Sequence, residues 1–120
     1  MSIRKAFVDL SDISNAIADL SLTVSGLTAT GSNQATALQL DTTTFQRVAT
    51  VAASTAVRLP AAIAGTRVVV FNAGANSLNV FPISGAVMNG TANAAQAIAA
   101  NKGAEFVCCA DTLWTAIAGA

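Results

Sequence analysis

Histidine and tyrosine are missing from this 120-residue chain, and glutamate occurs once, at Glu105. Without histidine the chain has no group of ordinary pKa near neutrality for acid/base work, and it lacks the commonest metal ligand. A Ser-His-Asp triad is excluded outright. Charge is scarce as well. Six basic and six acidic residues give a formal net charge of zero and a charged fraction of 10%, against about a quarter in an ordinary soluble domain. From Val68 through Asn101 no residue is charged. A neutral, Ala-rich surface offers little protection against association. Such a chain is expected to be a subunit of an assembly.

Long apolar runs are also absent. The most hydrophobic windows are broken by Gly65, Asn72, Pro82 and Asn101, so no run reaches the ~18 residues that span a bilayer. Asp9 and Asp12 interrupt the stretch after Arg4 and Lys5 that would have to serve as a signal core. A soluble chain without membrane or targeting segment is expected. The two cysteines are adjacent, Cys108-Cys109. On a strand their side chains point to opposite faces, and a bridge between neighbours needs unusual geometry. They read as two small buried hydrophobes, with too few further ligands for a metal site.

What is present begins with a helical pattern. Ile3, Ala6, Leu10, Ile13, Ile17, Leu20, Val24 and Leu27 recur at spacings of three and four, the pattern of a coiled-coil seam. Asp9 suits an N-cap, and Asp12 suits the positive end of the helix dipole. The spacing predicts a helix from about Leu10 to Leu20. It either packs on its own domain or serves as a docking element through Leu10, Ile13, Ile17 and Leu20. Ser21 to Ser25 alternate like a strand, and Gly26 is expected to stop either element. Residues 1–30 form, on this reading, a helical docking segment and linker.

Beyond the small polar stretch from Thr28 to Gln34 the period changes to two. Strands are expected at Thr36–Leu40, Phe45–Val51 with exposed Gln46 and Arg47, and Val57–Leu59 ended by Pro60. Thr66–Phe71 and Ser77–Phe81 flank Asn72-Ala73-Gly74-Ala75-Asn76 and read as a hairpin. Val68-Val69-Val70-Phe71 is apolar on both faces, as in a strand covered on each side. Ala92 to Ala100 reads as an extended segment or loop. Ala104–Cys109 and Leu113–Ile117 make a second hairpin about Asp111-Thr112, with Trp114 packed in the core or at its rim. Short strands with turns every eight to twelve residues predict a mainly β fold over residues 31–120. Its expected form is a β-sandwich or jelly-roll-like barrel of short antiparallel strands, preceded by the short N-terminal helix.

Little chemistry is legible. No Gly-x-Ser-x-Gly elbow occurs, and the carboxylates Asp9, Asp12, Asp19, Asp41, Glu105 and Asp111 are scattered. Neither the dinucleotide nor the P-loop glycine spacing is present. Balanced charge leaves no basic footprint for nucleic acid. Catalytic, cofactor and metal sites are therefore not expected. Arg47, Arg58 and Arg67 read either as solvated sheet-face residues or as a row gripping an acidic surface.

The run Gly65-Thr66-Arg67-Val68-Val69-Val70-Phe71-Asn72-Ala73-Gly74-Ala75-Asn76-Ser77-Leu78-Asn79-Val80-Phe81-Pro82, followed by Gly85-Ala86 and Asn89-Gly90, resembles small β-rich virion proteins of tailed bacteriophages. The likeness extends from about Gly31 to Ile117. It implies a trimeric or otherwise multimeric β-sandwich on a capsid or tail appendage. A 120-residue chain with its own helix and no long shaft fits a head decoration (cement) protein best. The expected partners are then copies of itself, as a homotrimer, and the major capsid protein, with the capsid surface as its location. A tail or fibre component binding host glycan through Trp114, Asn76 and Asn79 is the alternative; a small hydrolase using Asp and Ser is a third.

Overall fold

The computed structural model describes residues 23–118. They form eleven strands and no helix: β1 (Thr23–Thr28), β2 (Leu38–Gln39), β3 (Phe45–Thr50), β4 (Ala56–Arg58), β5 (Arg67–Asn72), β6 (Leu78–Phe81), β7 (Val87–Met88), β8 (Thr91–Ala92), β9 (Gln96–Ile98), β10 (Lys102–Ala110) and β11 (Leu113–Ala118). The mainly β class is thus present. The helix expected from about Leu10 to Leu20 lies outside the described residues.

From β1 to β7 successive strands alternate between two sheets. A seven-stranded sheet has the order β1-β3-β5-β10-β11-β7-β8, and a four-stranded sheet has the order β2-β4-β6-β9. The pairings β1–β3, β3–β5, β2–β4 and β4–β6 are all parallel. Along the first sheet Thr23 pairs with Phe45 and Phe45 with Val69, advances of 22 (45 − 23) and 24 (69 − 45) residues per turn. Along the second, Leu38 pairs with Val57 and Val57 with Val80, advances of 19 (57 − 38) and 23 (80 − 57). The chain therefore winds as a solenoid-like coil. Beyond β5 and β6 the parallel winding gives way to antiparallel pairing, β9 along β6 and β10 along β5.

This corrects the expected sandwich or jelly roll of antiparallel strands. Alternation reports which side chains share a face and is blind to which strand lies next door. In a hairpin, consecutive strands pair; here β5 and β6 belong to different sheets. The stretch from Asn72 to Asn76 is a corner of the coil, and the first expected hairpin does not form. Buried Asn72 builds that corner. Its Nδ2 donates to Asn76 O (2.7 Å) and Ile98 O (2.9 Å), and its Oδ1 accepts from Gly74 N (2.9 Å). The corner stacks on the one before it: Ala73 N donates to Val48 O (2.9 Å) and Asn76 Nδ2 to Val51 O (2.9 Å). The second expected hairpin is real, with β10 antiparallel to β11.

Two further corrections concern the N-terminal boundary and Gln46. The strand β1 belongs to the large sheet, so the β-rich unit includes Thr23–Thr28 and does not start at Gly31. Gly26, at φ +80°, does not end it; the ladder to β3 merely shifts register between Val24 and Leu27, as a bulge does. Gln46 was expected to be exposed and is buried. Its Nε2 donates to the carbonyls of Asp41 (2.9 Å) and Thr43 (3.0 Å), satisfying the turn between β2 and β3. A buried amide with both bonds made is tolerable, and its inward position turns Phe45 outward, 37% exposed.

The core lies between the sheets. Val48, Val68, Val70, Phe106, Cys108 and Trp114 contribute from the large sheet, and Val57, Leu78 and Val80 from the small one. Trp114 is fully buried, in keeping with a packing role. Cys108 is buried but Cys109 is exposed, as opposite faces of one strand require; only one of the pair is the buried hydrophobe expected.

Candidate functional site

The outward face of the large sheet carries the most distinctive side chains. Strand parity places Phe45 and Arg47 of β3, Arg67, Val69 and Phe71 of β5, Gly103, Glu105 and Val107 of β10, and Thr115 and Ile117 of β11 on it. The pairing registers sort them into rows across the strands. One row is Phe45–Val69–Glu105–Ile117, the next Arg47–Phe71–Gly103, and a third Arg67–Val107–Thr115.

The face is largely apolar, with one ion pair across its middle. Glu105 leaves its own row to meet Arg67, with Nη2 to Oε1 at 2.7 Å. Phe71 lies over Gly103, where an added Cβ would stand 3.3 Å from Phe71 Cδ2. Phe45, Val69 and Phe71 are thus apolar neighbours on β3 and β5, while the Arg67–Glu105 pair crosses the face between them and the apolar side chains Val107 and Ile117. Val69, Phe71 and Val107 are half-buried, while Ile117 is 62% exposed. The double-sided apolar reading of Val68–Phe71 thus finds its inner face fully packed and its outer face only partly covered.

The expected interface residues are not brought together as a row. Arg47 and Arg67 share the outer face of neighbouring strands. Arg47, however, pairs with Phe71 and stands four residues out of register with Arg67, roughly 13 Å along the strand. Arg58 lies in the other sheet, its Nε donating to Gln39 Oε1 (2.6 Å) and its Nη1 to Gln34 O (3.0 Å). The coil is the cause, since it sends β4 to the sheet opposite β3 and β5. Leu10, Ile13, Ile17 and Leu20 lie outside the described residues. The importance of Phe45 and Ile117 was missed. The signal was the parity of β3 and β11, which sequence alone leaves ambiguous until Gln46 is known to face inward.

The described carboxylates serve turns and pairs. Asp41 Oδ1 accepts from Thr43 N (2.9 Å), and the Thr43 hydroxyl, then its amide, holds the carboxyl below its ordinary pKa. Asp111 Oδ1 accepts from Ala64 N (3.0 Å). Burial raises the Cys108 thiol above its ordinary value. Trp114 cannot join Asn76 and Asn79 in a glycan groove, because it faces the core; its Nε1 has no hydrogen-bond partner among the described residues. The described residues form no pocket and bring no three metal-ligating side chains together. The chain matches no family model, no curated protein and no solved structure.

Proposed function

We propose that this chain is a structural protein of a tailed-bacteriophage virion, of the capsid-decoration type. It binds between major capsid protein subunits and associates with copies of itself, as a trimer. The observation that carries the reading is the apolar outer face of the seven-stranded sheet, on a chain with only 10% charged residues. The virion setting rests on the likeness of Gly65–Pro82 and the segments around it to phage β-domains.

The mechanism is adhesive. Covering about 400 Å² of apolar area removes roughly 10 kcal/mol gross of hydration cost, before association entropy is subtracted. Arg47 and the Arg67–Glu105 pair that crosses the face give orientation more than affinity. Many copies on one shell multiply weak contacts by avidity. The glycan reading is less favoured, because its stacking platform would have to be the buried Trp114.

The test combines sedimentation of the purified protein with rebinding to capsids stripped of their decoration. A multimer that rebinds shells and raises their heat tolerance is expected. A chain that stays monomeric at high concentration and ignores shells overturns the reading.

A further inference from the structure

Charge on the large sheet is divided between the two ends of its strands. Arg47 pairs with Phe71 near the end of β5, and Lys102 pairs with Asn72, the last residue of that strand. The opposite end holds two carboxylates. Asp41 lies in the turn into β3, and Asp111 in the turn from β10 to β11, where it accepts from Ala64 N (3.0 Å) in the loop leading into β5. All four residues are exposed. Among the described residues the single ion pair is Arg67–Glu105, between the two ends, so neither Arg47 nor Lys102 meets a carboxylate there.

This pattern is its own complement when turned end for end. Consider a half-turn about an axis along the rows, between Phe45–Val69–Glu105–Ile117 and Arg67–Val107–Thr115. It lays each strand antiparallel over the same strand of a second copy. On the line of β3 the axis passes by Thr44, so Arg47, three residues on (47 − 44), falls over Asp41, three residues back (44 − 41). On the line of β10 it passes by Phe106, which brings Lys102 over the turn at Asp111. Glu105 of each copy moves onto the row of Arg67 of the other, and the two central pairs close into a ring of alternating sign. Covering an ion pair costs desolvation, which such a ring offsets. We propose that a second copy of this chain seats on the outer face of the seven-stranded sheet across a twofold axis, with the cationic end of each copy over the acidic end of the other.

Stacking in the same direction sets Arg47 over Arg47 and Asp111 over Asp111, and opposed like charges disfavour it. A foreign partner must carry the inverted pattern by its own sequence, whereas a second copy has it by symmetry. The proposal rests on the self-association half of the reading above and gives its geometry. A flat face seats one other, so the contact doubles whatever the remaining contacts of the chain build. With about 400 Å² of apolar area against the ~800 Å² per partner of a standard interface, the contact is weak and concentration-dependent.

Sedimentation velocity of the full chain over a concentration series, from about 0.05 M to about 0.5 M salt, tests it. A concentration-dependent doubling of mass is expected, weakening at least about fivefold at the higher salt, because opposite charges meet. Two variants extend the test: Arg47→Glu with Lys102→Glu makes both ends acidic, and Asp41→Lys with Asp111→Lys makes both basic. Each alone should double at least about tenfold more weakly than the parent, and a one-to-one mixture should restore the association. A parent that doubles equally or more tightly at high salt, or a mixture no tighter than its components, overturns the antiparallel arrangement and leaves self-association standing. A parent that never doubles overturns both. Asp41 and Asp111 also hold turns, so should the basic variant unfold, the salt response of the parent and the acidic variant decide; an acidic variant that doubles as tightly as the parent overturns the proposal.

Discussion

Gly74 and Val51 touch at two stacked corners of the coil: a Cβ built on Gly74 would stand 2.6 Å from Val51 Cβ and 2.7 Å from Val51 N. The neighbour includes backbone, so it cannot simply rotate away. Gly74→Ala is therefore expected to destabilise the chain by about 1–3 kcal/mol, the usual cost of overpacking. Denaturant unfolding followed by Trp114 fluorescence measures it. An unchanged midpoint would mean that the corners are not in contact.

Asn72 organises the same corner through three bonds of its side chain. Asn72→Ala leaves the Ile98 and Asn76 carbonyls and the Gly74 amide without that partner, in a place where water has limited access. A loss of at least about 2 kcal/mol is expected, since each buried group left unsatisfied costs about 1–3 kcal/mol. Asn72→Asp keeps the acceptor for Gly74 N but loses both donations and adds a charge. It should be no less damaging than alanine, and a variant as stable as the parent contradicts the corner described.

The outer face makes a different demand. Phe45 and Ile117 already meet solvent in part, so Phe45→Lys with Ile117→Lys should change stability little. Self-association through that face should weaken at least about tenfold, because each apolar contact is replaced by a charge that resists desolvation. Sedimentation velocity of parent and variant separates the two effects. Equal association in both would move the interface elsewhere on the molecule.

Strand positions were legible in the sequence, and strand neighbours were not. Phe45–Val51, Thr66–Phe71, Ala104–Cys109 and Leu113–Ile117 alternate with the period of an extended chain, and each largely coincides with an observed strand. The turn chemistry of Asn72 to Asn76 was also legible, yet it serves a corner between sheets as readily as a hairpin. What decides is the long-range stacking of Asn76 and Ala73 on Val51 and Val48, which no local window contains. The site was half legible for the same reason. Arg47 and Arg67 share a face, whereas Arg58, midway between them in sequence, is carried to the opposite sheet.

Arg67 and Glu105 meet at 2.7 Å, but the Arg67 side chain is 63% exposed. An exposed pair of this kind contributes about 0–1 kcal/mol and is screened by salt. Glu105→Gln should therefore cost less than about 1 kcal/mol, with the difference from the parent vanishing at high ionic strength. A larger, salt-independent loss would show that the pair is shielded by something packed over the face.

Cys108 and Cys109 are adjacent in sequence and opposite in environment. An exposed thiol reacts through its thiolate, whereas burial raises the Cys108 thiol above its ordinary value and hides it. A thiol reagent should label one cysteine per folded chain, and peptide mapping should place the label on Cys109. Cys108 should react only on unfolding. The sign of its pH effect follows from the raised native value. Up to the ordinary thiol range, about pH 8.5, both states hold the proton and stability is unaffected. Above it the unfolded thiol ionises while the native one does not, so stability falls as pH rises towards the native value. Cys108→Ala should remove that alkaline slope at the cost of a small cavity. Labelling of both thiols at equal rates in the folded chain would contradict the inward placement of Cys108 on β10.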